Sequence, residues 1–320
     1  AIIFIVLEII NLPFSIYDTF GIEQRFGFNR TTPGTFVGDK LKSLLLSALI
    51  SGGLYALIFW FYNVMGSTFW IAALVAISAF SIFMSVFYST LIVPLFNKQT
   101  PLPDGELRDA INRLSQKVGF NLDGIFVIDG SKRSTRANAY FTGIGKKKRI
   151  VLYDTLINQM TTDEIVAVLA HEVGHYKHRH IVSSLIASIV ETGILLFLFS
   201  LCVSSPWLST AIGISEPKFH TSLIAFGMLY TPISMVINLI TNIISRQHEY
   251  QADEFSALNS NAANLISALK KLSSNNLSNL TPHPAYVWAN YSHPSLLQRV
   301  RFLQTFTDQR TAQSSDSIEE

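Results

Sequence analysis

Long charge-free stretches dominate the pattern of hydrophobic and polar residues along this chain. Residues 43–97 contain no Asp, Glu, Lys or Arg. A helix of about 20 apolar residues crosses a bilayer, so this stretch is too long for a single crossing. Gly66 and several polar residues interrupt it at residues 63–68, where a turn is favoured. The pattern therefore predicts two membrane spans, at residues 43–62 and 69–96.

Three more apolar segments extend this pattern. Residues 181–203 are interrupted only by Glu191, residues 221–245 are charge-free around Pro232, and residues 1–16 resemble the remnant of another span. Apolar segments of this length are hard to bury in a water-soluble fold. We therefore expect a mostly α-helical, polytopic membrane protein built as a multi-span helical bundle. The intramembrane carboxyl group of Glu191 has two open interpretations: it lines an internal chamber, or it is protonated and has no role.

The composition agrees with a membrane protein. Of 320 residues, 49% are hydrophobic and 14% are charged, whereas soluble domains are about one quarter charged. The net charge of +2 is too small to indicate a nucleic-acid partner. Cys202 is the single cysteine, so an internal disulfide and a thiolate cluster are excluded. Any metal site in this chain has to use His, Asp or Glu.

Basic residues are distributed unevenly among the connections between spans. Residues 98–180 and the tail after residue 245 are rich in Lys and Arg, whereas residues 63–68 and 204–220 hold one basic residue between them, Lys218. Connections rich in Lys and Arg remain on the cytosolic side of a membrane. The pattern predicts a multi-pass protein with its large loop and C-terminus in the cytosol.

The large loop has the pattern of a small mixed unit. Apolar residues at helical spacing predict a helix at residues 105–118. Runs of β-branched and aromatic residues predict three strands, at Ile125–Ile128, Ala137–Thr142 and Arg149–Tyr153. A capping box at residues 161–164 marks the start of a further helix. We expect that helix to continue unbroken into the 181–203 span.

The sharpest chemical signal is the motif His-Glu-Val-Gly-His at residues 171–175. Positions four apart lie on one face of a helix, so His171 and His175 can bind one zinc ion. Glu172 lies about 100° around the helix, where a general base can take a proton from a water at the metal. The spacing therefore predicts a catalytic metal centre with Glu172 as its base.

A catalytic zinc site normally has three protein ligands, so two histidines leave the set incomplete. His178 follows on the same helix, which cannot easily wrap three ligands around one ion, and His180 is expected to point away. Glu249 is the better candidate. It lies just after the 221–245 span, and the 171–175 motif lies just before the 181–203 span, so both are expected at the same membrane surface. The neighbouring His248 would face elsewhere. Asp253 lies one turn beyond Glu249 and can orient an imidazole ligand.

The chain resembles the CAAX prenyl protease 1 family of integral-membrane metallopeptidases. HEVGH is followed by EYQAD at residues 249–253, and further stretches also match: residues 12–40, 94–111, 136–143, 145–156 and 291–299. The resemblance covers nearly the whole chain and is specific. Members of that family have two further spans at the front, seven in all, so we expect this chain to be truncated at its N-terminus.

The resemblance implies one zinc ion (Zn2+) per chain, bound by His171, His175 and Glu249, with Glu172 as the catalytic base. It implies removal of the last three residues of a CAAX protein after prenylation, and it leaves a second, upstream cut open. The implied partners are prenylated CAAX proteins or peptides and the lipid bilayer. The implied location is the endoplasmic reticulum membrane.

The resemblance also implies roles for three residues outside the metal ligands. Asn138 would lie on an edge strand near the scissile bond, where an extended substrate can add as another strand. His293 and Arg299 would line the site and stabilise the oxyanion. From the residues alone, His293 could equally be an ordinary surface histidine.

Two other functions remain open from the sequence. A quality-control membrane protease that cuts unprenylated or misfolded membrane proteins would use the same zinc motifs. A transporter that binds ions through its histidines is the more distant alternative, because a capped zinc helix and a strand unit have no obvious use in a pore.

These expectations divide the chain into five parts. They are an N-terminal transmembrane region at 1–97, a cytosolic loop with the strands and zinc helix at 98–180, C-terminal spans at 181–245, the rest of a gluzincin-like catalytic unit with the third ligand at 246–306, and a disordered tail at 307–320.

Overall fold

The computed structural model describes residues 2–120, 122–142, 148–213, 215–216 and 218–316. The described chain is mostly helical. The helices in chain order are α1 (Ile2–Tyr17), α2 (Pro33–Met65), α3 (Phe69–Leu91), α4 (Val93–Phe96), α5 (Glu106–Lys117), α6 (Asp154–Gln159), α7 (Thr162–Lys177), α8 (His180–Cys202), α9 (Pro206–Ala211), α10 (Phe219–Asn259), α11 (Ala262–Asn275), α12 (Pro284–Asn290) and α13 (Leu296–Asp316). The strands are β1 (Gln99–Pro101), β2 (Gly124–Ile128), β3 (Ala139–Thr142) and β4 (Arg149–Tyr153).

Four helical stretches among the described residues are long and apolar enough to cross a membrane. They are Ile2–Glu23, Pro33–Phe96, His180–Cys202 and Phe219–Asn259. Large apolar side chains on these helices are exposed, including Leu45 at 71% and Leu49 at 74%. Apolar faces of this extent fit contact with lipid rather than water. The expected multi-span helical bundle is confirmed.

The second of these stretches folds back on itself. α2 ends at Met65, a 3₁₀ turn follows at Gly66–Thr68, and α3 then returns along α2. Gly66 has φ of 57°, a conformation that other residues adopt only with strain. The break predicted at residues 63–68 is therefore present. α2 begins earlier than the apolar pattern suggests, because Thr32 caps it and Pro33 occupies its first turn.

The described strands form one four-stranded sheet, in the order β1-β2-β4-β3. β2 and β4 are parallel, whereas β1 and β3 are antiparallel to their neighbours. The three predicted strands are present, with β3 starting at Ala139 rather than Ala137. β1 was not predicted, because three residues are too few for a recognisable alternation. β3 lies at one end of the sheet, so its outer edge is free among the described residues.

α7 is held between the sheet unit and α10. Its capping box is present, with Thr161 N donating to Glu164 Oε2 at 2.9 Å and Glu164 N donating to Thr161 Oγ1 at 3.3 Å. On its other side α7 packs closely on α10, where Ser256 Oγ donates to the Ala167 carbonyl at 2.7 Å. A Cβ added at Gly174 would lie 3.0 Å from the Cα of Ala252. The glycine therefore allows the two helix backbones to approach.

The expectation of one unbroken helix through the motif into the next span is wrong. α7 ends at Lys177 and α8 begins at His180. Between them Arg179 has φ of 58° and ψ of 29°, the left-handed conformation. This conformation turns the chain, and it costs a non-glycine residue about 1–3 kcal/mol.

The C-terminal part differs from the sequence expectation as well. α13 continues to Asp316, into the 307–320 segment for which disorder was expected. The buried Leu303 packs this helix against α11. Residues 317–320 lie outside the described residues, as does most of the predicted turn at 143–148.

Candidate metal centre

Two imidazoles from α7 face a common point. The Nε2 atoms of His171 and His175 are 3.2 Å apart, as expected for two residues one helical turn apart. His171 is buried at 7% exposure and His175 is half-buried. The pair lies on the side of α7 that packs against α10.

Glu249 of α10 completes the group. Its Oε1 lies 3.3 Å from His175 Nε2 and its Oε2 lies 3.6 Å from His171 Nε2. One atom from each of the three residues falls within 4.8 Å of the others. The predicted meeting of two helices distant in sequence is therefore present.

This donor set fits a zinc ion. Glu249 is 4% exposed, and its Oε2 is buried and accepts no hydrogen bond from the described residues, although the Arg299 guanidinium lies 3.3 Å away. A buried carboxylate oxygen without a hydrogen bond is costly, and a metal ion beside the two imidazoles would satisfy it. Two imidazole nitrogens and one carboxylate are also the ligand set of known catalytic zinc sites, which keep a fourth position open.

Asp253 and Arg299 lie on the Nδ1 side of His171, away from the metal position. Asp253 Oδ1 lies 2.9 Å from His171 Nδ1, so it can accept the proton on the ring nitrogen that faces away from the metal position. Arg299 donates to both oxygens of Asp253, with Nε to Oδ2 at 2.8 Å. Because Asp253 is fully buried, the arginine stabilises its negative charge. The predicted orienting contact of Asp253 is present.

Glu172 lies beside the donor set rather than within it. It lines a cavity of about 310 Å³ together with His171, His175 and Glu249. Burial is the largest influence on its carboxyl group and raises the pKa, with Glu249 adding to the rise and the neighbouring histidines opposing it. A carboxylate with a raised pKa is a better proton acceptor near neutral pH. The position and chemistry fit a general base.

The three residues suggested only by resemblance also surround this cavity. Asn138, His293 and Arg299 all line it. His293 Nε2 lies 3.3 Å from Glu249 Oε1, and Arg299 Nη1 lies 3.3 Å from Glu249 Oε2. Asn138 directly precedes β3, whose outer edge is free. The structure therefore brings all eight sequence-derived site residues together, and the individual roles of these three remain proposals.

The two histidines that follow the motif, His178 and His180, differ in their surroundings. His178 is exposed at the end of α7 and takes no part in the donor set. His180 was expected to point away, and this was wrong: its Nδ1 lies 3.0 Å from the Nδ1 of His175. The break at Arg179 brings the ring back towards the motif. A sequence that predicts a continuous helix carries no signal for this contact.

The long apolar helices and the donor set together define a membrane metallopeptidase. Comparisons with known proteins agree. Residues 101–307 match peptidase family M48, and residues 1–98 match the family described as CAAX prenyl protease N-terminal, five membrane helices.

Individual relatives point in the same direction. CAAX prenyl protease 1 of Saccharomyces cerevisiae is 37% identical, over 94% of this chain and 70% of that protein. The CAAX prenyl protease 1 homologs of Arabidopsis thaliana and Homo sapiens are 41% and 33% identical, each over 92% of this chain and 70% of their own length. The crystal structure of S. mikatae Ste24p superposes with a TM-score of 0.90 at 38% identity, over 94% of this chain and 74% of that chain. The chain belongs to the CAAX prenyl protease 1 family, and it is a multi-pass membrane zinc metallopeptidase.

Proposed function

We propose that this chain removes the three C-terminal residues of proteins whose CAAX cysteine has been prenylated. The observation that carries the proposal is a cavity of about 550 Å³ lined both by Glu172 and His175 and by residues of the membrane helices α3 and α8, including Ile181 and Leu185. The base and the lipid-facing helices thus share one space. A lipidated C-terminus partitions into a bilayer, so its scissile bond can reach the metal while its lipid stays among apolar helices.

The metal ligands in this proposal are His171, His175 and Glu249. A bound zinc would polarise the scissile carbonyl and lower the pKa of the attacking water. Glu172 accepts the proton of that water and delivers it to the leaving amine.

Three further residues act on the substrate. The free edge of β3 accepts the extended peptide as an additional strand, and Asn138 at its start holds the peptide beside the scissile bond. His293 and Arg299 donate to the oxygen that becomes negative in the transition state. Their proximity to Glu249 supports this role, because donors aimed at a developing charge contribute most when they are already in place.

The orientation and the division of the chain are also part of the proposal. The basic residues of 98–180 and of the tail after residue 245 favour a cytosolic catalytic unit, in the membrane of the endoplasmic reticulum. We assign residues 98–180 and 246–306 to that unit. α7, in the first range, packs against α10 and α11, and its Ala167 carbonyl accepts a hydrogen bond from Ser256 in the second range.

Two peptides of one CAAX sequence, farnesylated and unmodified, test the proposal with the purified chain. We expect cleavage of the farnesylated peptide to be much faster, and to be lost both with a chelator and in Glu172→Gln. Equal cleavage of both peptides would favour a quality-control protease. Zinc binding without any cleavage would contradict a peptidase and favour an ion-binding role.

A further inference from the structure

The two imidazole ligands are supported in different ways. His171 Nδ1 faces the buried carboxylate of Asp253 at 2.9 Å. His175 Nδ1 instead faces a second imidazole, with the Nδ1 of His180 at 3.0 Å. A ligand imidazole usually donates its second N–H to a carboxylate, a carbonyl or water. When the partner is another histidine, it can accept that N–H only if its own facing nitrogen carries no proton.

Gln251 of α10 supplies that setting. His180 Nε2 lies 2.8 Å from Gln251 Oε1, an oxygen that can only accept a hydrogen bond. The proton of His180 therefore belongs on Nε2, which leaves Nδ1 as an acceptor for the N–H of His175. His175 then presents an unprotonated Nε2 towards Glu249 and His171, which is the form that binds a metal.

The ring of His180 is also held mechanically. It is 5% exposed and stacks on His248, with ring centroids 3.9 Å apart and planes at 11°. His248 is held in turn by Ser183, at 3.4 Å from Nε2 to Oγ. The left-handed backbone of Arg179 directs His180 back towards α7. A strained backbone conformation at a non-glycine residue is a common feature of functional sites.

We infer that Gln251 and His180 form a positioning relay that fixes the tautomer and orientation of the zinc ligand His175. This inference rests on the proposed metallopeptidase function and adds two residues to it. Neither residue belongs to the donor set. Both act by keeping one nitrogen of His175 free for zinc, as Asp253 does for His171.

Zinc affinity of the purified chain, measured by chelator competition in detergent, tests the relay independently of activity. His180→Ala removes the acceptor and should weaken zinc binding by about 10–100-fold, the usual cost of losing an orienting partner. His180→Asn places an oxygen near the former Nδ1 and should recover much of that loss. The melting temperature of the metal-free protein is measured alongside, because a purely structural role would lower it in the alanine and asparagine variants alike.

Gln251 allows the tautomer itself to be tested, because its side chain is exposed and replacements there should fold. Gln251→Glu still accepts from His180, so zinc affinity should be retained. Gln251→Lys can only donate, which puts the His180 proton on Nδ1 and opposes metal binding by His175, and we expect a loss of about tenfold or more. Glu254→Gln changes the charge by the same amount as Gln251→Lys at another exposed position of α10 and is the matched control.

The relay is refuted if His180→Ala binds zinc as tightly as the wild type, or if the glutamate and lysine variants of Gln251 have the same zinc affinity. It is also refuted if Glu254→Gln reproduces the effect of Gln251→Lys. These outcomes leave the proposed function intact when the wild-type chain binds zinc and cleaves farnesylated peptide. Failure of the wild type to bind zinc at all would instead remove the proposed function.

Discussion

Replacing Gly174 by alanine should weaken the metal centre although it touches none of the ligands. The added Cβ would lie 3.0 Å from Ala252 Cα, 3.2 Å from the Ala252 carbonyl oxygen and 3.0 Å from Phe255 Cβ. Carbon atoms in favourable contact are about 3.5–4.0 Å apart. The nearest neighbours include backbone atoms, which cannot rotate away, so α7 and α10 have to separate by roughly 0.5–1 Å at this point.

The sign of this effect follows from two opposing magnitudes. Alanine favours a helix over glycine by about 1 kcal/mol, whereas forced overpacking costs about 1–3 kcal/mol. The net change in stability is therefore a loss of up to about 2 kcal/mol. Zinc binding should suffer more, because functional ligand distances are held within about 0.2 Å and the separation moves Glu249 away from the two histidines. A loss of 1.4 kcal/mol corresponds to about tenfold in affinity.

Chelator competition for zinc and melting temperatures with and without metal are the measurements for Gly174→Ala. Gly227→Ala in α10 is the matched control, since its Cβ would meet no described atom within 4 Å and only the helix preference remains. If Gly174→Ala binds zinc normally and gains stability as the control does, close backbone contact does not set the ligand geometry.

Three further predictions follow from the site and its supports. Glu172→Gln should lower turnover at least about 10²–10⁴-fold, the range of general base catalysis, with zinc content by atomic absorption unchanged; activity within tenfold of the wild type would exclude Glu172 as the base. Asp253→Asn should weaken zinc binding by about 10–100-fold in a chelator titration, and an unchanged affinity would show that His171 is oriented without it. Glu164→Gln should lower the melting temperature at pH 7, because hydrogen bonds from Lys271, Ser267 and the Thr161 backbone outweigh burial and lower the pKa of Glu164 to about 2. That stabilisation is present above the ordinary pKa of about 4.5 and is lost as the pH falls towards 2. The difference in melting temperature between Glu164→Gln and the wild type should therefore narrow over this range. Asp163→Asn, at an exposed position, is the control, and a difference that does not change with pH would contradict the assignment.

The sequence predicts the metal centre well because its signal is local. His171 and His175 are one helical turn apart, and helix geometry alone brings their rings together. Glu249 was predicted from its position after an apolar span, since two helices that end at the same membrane surface bring their ends to similar depth. The spans were predicted because the bilayer demands long apolar runs whatever the tertiary packing.

Other features depend on contacts that no local pattern records. Arginine has no intrinsic preference for the left-handed conformation, so the break at Arg179 between α7 and α8 could not be predicted. The predicted direction of the His180 side chain was wrong as a consequence. The close contact of Gly174 needs Ala252, which is distant in the sequence. β1 depends on its pairing with β2 and on the hydrogen bond from Gln99 Nε2 to the Ser89 carbonyl, and both partners are non-local.

One consequence concerns α10, a single helix that carries both a membrane span and the ligand Glu249. Pro232 is its one internal proline, and about 25 Å of helix separates it from Glu249. At that lever arm, bending the helix by about 3° would displace the carboxylate by about 1 Å.

Lateral ties limit such motion near the metal. Asn242 Nδ2 donates to the Ala289 carbonyl at 3.0 Å, and Arg246 Nη1 donates to the Tyr291 carbonyl at 2.6 Å. These ties lie between the proline and the ligand. On the other side of Pro232, Ser222 Oγ donates to the Val203 carbonyl at 2.8 Å. Because α10 is tied to its neighbours on both sides of the proline, Glu249 moves less than this lever arm implies.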